Sequence, residues 1–295
     1  MRILFVTSNR LGDAVLSTGL LDHLIRKYPD ARITVACGPV AEGVFARMPN
    51  RVRTIVLEKR RYSLHWLPLW ISTATTVWDL VVDIRGSVLA WMVPSRRRAV
   101  MRPRSGHKGA QLAAILGLDP PPLPVAWTAP EDRARAAALL PAGRQIIALG
   151  PTANWAPKVW PSDRFAALFH ALDRGAVPAV FAGTGESECA MAAPLLSALP
   201  GAIDLVGRLT LPEVAACLAQ CALFVGNDSG LMHLAAAAGT PTLGLFGPTS
   251  AAEYAPAGPR AAVALSSTAR MEDLSVETAV QAASRLMERA TLVQA

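Results

Sequence analysis

The sequence predicts two doubly wound α/β domains that face one another, and three features carry that expectation. Strand-like apolar runs alternate with helical patterns from residue 2 to residue 83, and the same alternation resumes at residue 145. Between the halves lies Leu118-Asp119-Pro120-Pro121-Pro122-Leu123-Pro124, a composition that makes a stiff, extended connection. Alternating strands and helices call for a parallel sheet covered on both faces. A length of 295 residues suits two domains of roughly 150 residues each.

In the first half, strands are expected over 2–7, 32–37, 52–57 and 80–83, with a helix over 13–28 and a short helix from Ala41. In the second half, strands are expected over 145–149, 177–182, 223–226 and 242–246. Helices follow over 162–172, 186–199, 212–219, 230–238 and 276–288, the third with Pro212 at an early position, where a missing N–H is tolerated. The expected domains are 1–125 and 144–295, with 126–143 as linker and helix and the final helix, 276–290, free to pack back on the first domain. Glu131 and Asp132-Arg133 read as surface residues of the linking helix.

Composition removes several classes. Hydrophobic residues make up 52% and charged residues 17%, so a disordered chain is excluded. The four cysteines, Cys37, Cys189, Cys217 and Cys221, are too few for a disulfide scaffold and read as buried small hydrophobes. The start, Met-Arg-Ile-Leu-Phe-Val-Thr-Ser, is a first strand and no signal peptide. The apolar stretch 67–82 is interrupted by Ser, Thr, Pro and Asp, short of the roughly 20 residues a spanning helix needs. A cytoplasmic protein is expected. Of the net charge of +7, segment 59–108 holds ten basic residues against only Asp79 and Asp83. Such a field attracts polyanions: nucleic acid, anionic lipid and phosphorylated glycan all fit, as does a solvated basic face.

Ligands of open parallel sheets bind outside the carboxyl ends of the strands, so the loops that follow strands carry the chemistry. The first is Ser8-Asn9-Arg10-Leu11-Gly12-Asp13. Gly12 can take the left-handed conformation that a tight strand-to-helix turn needs. Asp13 is either a helix N-cap, stabilising by about 1 kcal/mol, or a general base. No GxGxxG dinucleotide fingerprint is present. The second loop, 150–161, offers Thr152 and Asn154 as phosphate hydrogen-bonders and Lys158 as a point charge, unless that lysine is simply solvated. The third, Gly183-Thr184-Gly185-Glu186-Ser187-Glu188, can turn amides toward a phosphate or ribose, though its acids also favour a first helical turn. The fourth, Gly226-Asn227-Asp228-Ser229-Gly230-Leu231-Met232-His233, is a strand-to-helix turn with a ready anion site. Asp228 or Ser229 caps its helix, and His233 is either a ligand or a partly buried helix residue.

Taken in order and spacing, Gly12-Asp13, Lys158-Val159-Trp160-Pro161, Asp228-Ser229-Gly230-Leu231-Met232-His233 and Phe246-Gly247-Pro248-Thr249 resemble glycosyltransferase family 9, the bacterial heptosyltransferases of the lipopolysaccharide inner core. The resemblance spans nearly the whole chain. It implies a GT-B fold of two Rossmann-like domains across a cleft, and metal-independent transfer with inversion at the anomeric carbon. Asp13 matches the proposed base and Lys158 the residue at the donor phosphates. Asp228 matches the carboxylate that holds the donor sugar, and Gly230, Leu231 and His233 match the diphosphate turn. Thr152, Asn154, Gly183, Thr184 and Ser229 complete the expected donor site. The resemblance further implies a nucleotide-sugar co-substrate, ADP-heptose, with no cofactor, no metal and no nucleic-acid partner. Its acceptor would be an anionic, lipid-linked glycan met at the cytoplasmic face of the inner membrane. Arg10, Arg60, Arg61, Arg96, Arg97 and Arg98 would bind that acceptor, with Trp66, Trp70, Trp78 and Trp91 nearby. Two other readings compete: a GT-B enzyme with another nucleotide sugar, an epimerase included, and a non-enzymatic nucleotide- or nucleic-acid-binding protein that uses the basic face.

Overall fold

The structure is a computed structural model that describes the backbone of residues 1–58 and 66–292 and the side chains of 1–58 and 66–288. It divides into two compact units, Met1–Trp127 and Thr128–Ala295.

The first unit runs β1 (Arg2–Val6), α1 (Leu11–Lys27), β2 (Arg32–Cys37), β3 (Arg51–Val56), α2 (Trp66–Thr73), β4 (Leu80–Asp83), α3 (Leu89–Met92), β5 (Arg98–Val100) and α4 (Lys108–Ala113). Its five strands are all parallel, in the order β3-β2-β1-β4-β5. The central strands are buried nearly end to end, which is why they read as unbroken apolar runs and not as alternating ones. Leu4, Val6, Ala36, Val81, Leu69 and Trp78 form one face of its core.

The second unit runs α5 (Pro130–Leu139), β6 (Ile146–Gly150), α6 (Ser162–Leu172), β7 (Val177–Val180), α7 (Glu186–Ala198), β8 (Ile203–Asp204), α8 (Leu211–Leu218), β9 (Leu223–Asn227), α9 (Gly230–Ala237), β10 (Thr242–Phe246), α10 (Ala251–Tyr254), β11 (Ala261–Leu265) and α11 (Val276–Leu292). Six parallel strands lie in the order β11-β10-β9-β6-β7-β8. In each sheet the winding reverses once, between β1 and β4 in the first and between β6 and β9 in the second. Those reversals open the crevices where doubly wound sheets bind ligands.

Several expectations change. Helix α1 begins at Leu11 with Arg10 as its N-cap residue, so Asp13 is the third helical residue and not the cap. Gly12 lies inside that first turn and does not take a positive φ. The expected helix from Ala41 is a 3-10 segment, Pro39–Phe45. Asp132 is buried at 3% exposure, because its carboxylate turns back to accept from the Ala129 N–H at the start of α5. The proline-rich stretch, expected as a stiff connection, lies on α1, where Val125 N–H donates to Thr18 Oγ1 at 2.8 Å. A methyl group at Gly19 would stand 2.6 Å from the Pro122 carbonyl, so that close approach requires glycine. Helix α11 buries Ala279, Ala283 and Leu286 in the second unit's own core.

Cys189 is exposed, contrary to expectation, because it sits in the first turn of α7, ahead of the buried stripe that starts at Ala192. The other three thiols are buried. Burial pushes Cys37 up to about 12 and Cys217 up to about 11, and it raises Cys221 as well. Since the thiolate is the reactive form, an alkylating reagent at neutral pH is expected to label one cysteine, Cys189, in the native protein and all four after denaturation. Peptide mass mapping checks this; native labelling at Cys221 would contradict the packing around α8.

Candidate active site

At the reversal of the first sheet, the loops after β1 and β4 meet. Arg10 N–H donates to Ser8 Oγ at 3.1 Å, and that hydroxyl donates to Asp13 Oδ2 at 3.2 Å. The half-buried Asp13 is thus tied to the β1 loop by one hydroxyl, and it lies where the positive end of a helix favours a carboxylate. From the neighbouring loop, Arg85 Nη1 donates to Asn9 Oδ1 at 3.2 Å, and its guanidinium stands 4.6 Å over the Trp66 ring. Burial lowers Arg85 from the usual guanidinium value, with the Asp83 carboxylate opposing. Asp83 is fully buried at the end of β4 and accepts from the Arg85 and Ser87 amides and from the Ser87 hydroxyl. Burial raises its carboxyl above the ordinary range, the hydrogen bonds from Ser87 and Arg85 opposing. Gly86, with φ +64, makes the turn that brings Arg85 back over the sheet end. Neither Arg85 nor Asn9 was singled out in the sequence. The available signal was position: a lone arginine two residues after a strand and just before a glycine.

At the reversal of the second sheet, the loops after β6 and β9 meet in the same way. Gly150 and Gly226 face each other across the strand ends, and a Cβ at either would strike the Phe224 ring at 2.7 or 2.6 Å. Asn227 is fully buried and braces the two loops. Its Oδ1 accepts from Trp160 N–H at 3.0 Å and its Nδ2 donates to the Pro151 carbonyl at 2.9 Å. Trp160 is itself fully buried, donating through Nε1 to the Leu274 carbonyl at 2.9 Å, so the loop is packed down at its far end. A short 3-10 turn, Ala156–Lys158, then presents Lys158. Its Nζ lies 2.7 Å from Asp228 Oδ2, with 18% and 7% of the two side chains exposed.

Asp228 therefore does not cap α9; Ser229 does, its hydroxyl accepting from Met232 N–H. The amides of Gly230 and Leu231 begin the helix beside the ion pair, and Leu231 lies over Gly150. His233 is buried at 4% exposure, more deeply than a partly buried helix residue. Thr152 is buried and Asn154 exposed on the β6 loop. Gly183 and Thr184 are exposed after β7, one strand further along, where Glu188 folds over Gly183 and Gly207 packs on Thr184. Of the expected donor residues the structure joins Lys158 to Asp228 directly, and it adds the bracing role of Asn227, which the sequence does not disclose. Asn227→Ala would leave the Trp160 amide and the Pro151 carbonyl unpaired, at about 1–3 kcal/mol each. A stability loss of about 3 kcal/mol in chemical denaturation is expected; a loss below about 0.5 kcal/mol would show that the loops hold themselves.

The arginines expected for the acceptor divide. Arg60 and Arg61 lie outside the described residues. Arg10 and Arg97 are exposed, and Arg96 reaches Asp79 at 3.5 Å. Arg98 donates to the carbonyls of Ala90, Val93 and Ser95, so its guanidinium is committed to holding α3. Trp78 is buried at 6% exposure and donates to the Thr73 carbonyl, which places it in the core and not beside a ligand. Among the described residues no three His, Cys, Asp or Glu side chains gather as a metal site, and no helix is long and apolar enough to cross a membrane.

Comparison with known proteins gives a consistent picture. A family model described as glycosyltransferase family 9 (heptosyltransferase) matches residues 92–283. The lipooligosaccharide heptosyltransferase 2 of Haemophilus influenzae is 27% identical, over 87% of this chain and 86% of its own. The lipopolysaccharide heptosyltransferase 2 of Salmonella typhimurium is 26% identical over 85% and 84%. Among solved structures, a glycosyl transferase family 9 protein from Veillonella parvula matches with a TM-score of 0.83 at 22% identity, over 98% and 97% of the chains. The E. coli ADP-heptose lipopolysaccharide heptosyltransferase II matches with a TM-score of 0.78 at 22% identity, over 99% and 100%. The fold is that of the GT-B class.

Proposed function

The chain belongs to glycosyltransferase family 9 and is a glycosyltransferase, and from that premise we propose that it moves heptose from ADP-heptose to a lipopolysaccharide-type core, inverting the anomeric centre without a metal. The observation that carries this reading is the Lys158–Asp228 pair at the amino end of α9, at the reversal of the second sheet.

The chemistry follows from the residues. The acceptor hydroxyl oxygen attacks the anomeric carbon as Asp13 takes its proton. The bond from that carbon to the diphosphate oxygen breaks, and its electron pair leaves with the nucleoside diphosphate. Charge grows on the leaving phosphate, and fixed donors aimed at developing charge are the strongest lever available. Lys158 and the first amides of α9 supply it, which is why a metal and a cofactor are dispensable in this reading. Asp228 holds Lys158 through one oxygen and leaves the other for a donor-sugar hydroxyl. Thr152 and Asn154 border the diphosphate, and the Gly183–Thr184 turn borders the ribose. The acceptor is an anionic, lipid-linked glycan bound by exposed arginines such as Arg10, Arg96 and Arg97, and the enzyme works peripherally at the cytoplasmic face of the inner membrane.

A thermal-shift panel of ADP-, UDP-, GDP- and CMP-linked sugars tests the donor. A ligand at a hundred times its Kd stabilises the fold by about 2.7 kcal/mol. Stabilisation by the ADP sugar alone is expected, and preference for another nucleotide would overturn the donor assignment.

A further inference from the structure

The first unit carries an apolar surface that its own core does not use. Helix α2 buries Leu69 and Thr73 but turns Leu67 and Ile71 outward, at 51% and 60% exposure. Helix α3 buries Leu89 and Ala90 and exposes Trp91 at 64% and Met92 at 54%, with Val88 exposed just before it. Trp70 Nε1 donates to the Met92 carbonyl at 3.1 Å, so the two helices present one continuous face. Large apolar side chains exposed singly are ordinary, and Val40, Val52, Leu123, Trp155 and Leu265 are such cases. A cluster across two joined helices is not ordinary and marks a surface that meets something.

The rim of this face identifies what it meets. Arg98 is clamped by the carbonyls of Ala90 and Val93 with its guanidinium 5.7 Å from the Trp91 ring, so a fixed positive charge stands at the edge. Arg96 and Arg97 immediately precede it in the chain, both exposed. In residues 66–108 the only carboxylates are Asp79, engaged by the Arg2 amide and Arg96, and the buried Asp83. Tryptophan and aliphatic side chains surrounded by arginine suit the boundary between anionic headgroups and acyl chains.

We propose that the α2–α3 face is the docking surface of this protein on an anionic lipid bilayer, with Leu67, Ile71, Trp91 and Met92 seated among the acyl chains and Arg96 and Arg97 at the phosphates. This deepens the reading above, in which the acceptor is membrane-embedded, but the surface stands on its own observations. Ile71 and Met92 are exposed and their side chains hold no part of the core, so the double variant Ile71→Glu/Met92→Glu keeps the fold.

The test is cosedimentation with vesicles of phosphatidylethanolamine and phosphatidylglycerol, with pure phosphatidylcholine vesicles as the neutral arm. The parent is expected to bind the anionic vesicles, and the double variant to bind them about a hundredfold more weakly, roughly tenfold for each apolar side chain withdrawn from the acyl region. Its melting temperature and its ADP-induced thermal shift should match the parent's. Arg96→Ala/Arg97→Ala should weaken binding to anionic vesicles about tenfold and leave the neutral arm unchanged. A parent that ignores both vesicles, or a double variant that binds like the parent, overturns the proposal. So does dimerisation in light scattering that the double variant abolishes without any vesicle binding, since the face would then meet a second copy. A parent that binds vesicles but not ADP would overturn the donor reading and leave this surface standing.

Discussion

Asp13→Asn is expected to lower sugar transfer by about 10²–10⁴-fold, the usual contribution of a positioned base, while leaving nucleotide affinity nearly unchanged. The substitution keeps shape and retains an oxygen that can accept from Ser8 Oγ, which is 3.2 Å from the carboxylate. It removes a negative charge from the first turn of α1, a loss of about 0.3–1 kcal/mol, so the protein remains folded. A deficit in turnover with the fold and the ADP thermal shift preserved is therefore specific to proton transfer. Turnover within about fivefold of the parent would remove Asp13 as the base and leave it a helix-stabilising residue.

The second large effect is at Lys158. Lys158→Ala should reduce transfer by about 10²–10³-fold, because charge on the departing diphosphate loses a fixed donor. It should also cost stability. Removing one member of a buried pair leaves the other charge uncompensated, at about 3–5 kcal/mol. The lysine keeps 18% of its side chain in water, so a loss near the lower end is expected. Lys158→Ala/Asp228→Asn separates the two roles: stability should return toward that of the parent, and activity should not. Recovery of activity in the double variant would mean that Lys158 only neutralises Asp228.

The sequence showed the sheet centres well. Strands β6, β9 and β10 are buried along their length, and such strands appear as plain apolar runs. It also showed the loops that meet at the second reversal, since Lys158 and Asp228 each follow a strand. It did not show that they touch, because strand order is set by long-range pairing that no local pattern encodes. Short edge elements such as β5 and β11 were missed, the latter an Ala-rich segment of weak strand propensity. Gly12 misled the reading of the first turn: a glycine after a strand suggests a turn, yet here the helix had already begun at Leu11. Asn227 looked like a turn residue and proved to be a brace, which only burial and the positions of Trp160 and Pro151 disclose. The run Arg96-Arg97-Arg98 looked uniform, and the backbone carbonyls around α3 single out its last member.

The proposed reaction is direct transfer of a sugar from an ADP-linked donor to a glycan without a metal. Its most direct test incubates the chelator-treated protein with ADP-heptose and a heptose-deficient lipopolysaccharide core, following ADP release and the mass of the glycan together. ADP release is expected to depend on the acceptor, to persist in excess EDTA, and to match mole for mole the glycan that gains one sugar of inverted anomeric configuration. Release of ADP with no gain by the glycan, or transfer that stops in EDTA and returns with added metal, would contradict it.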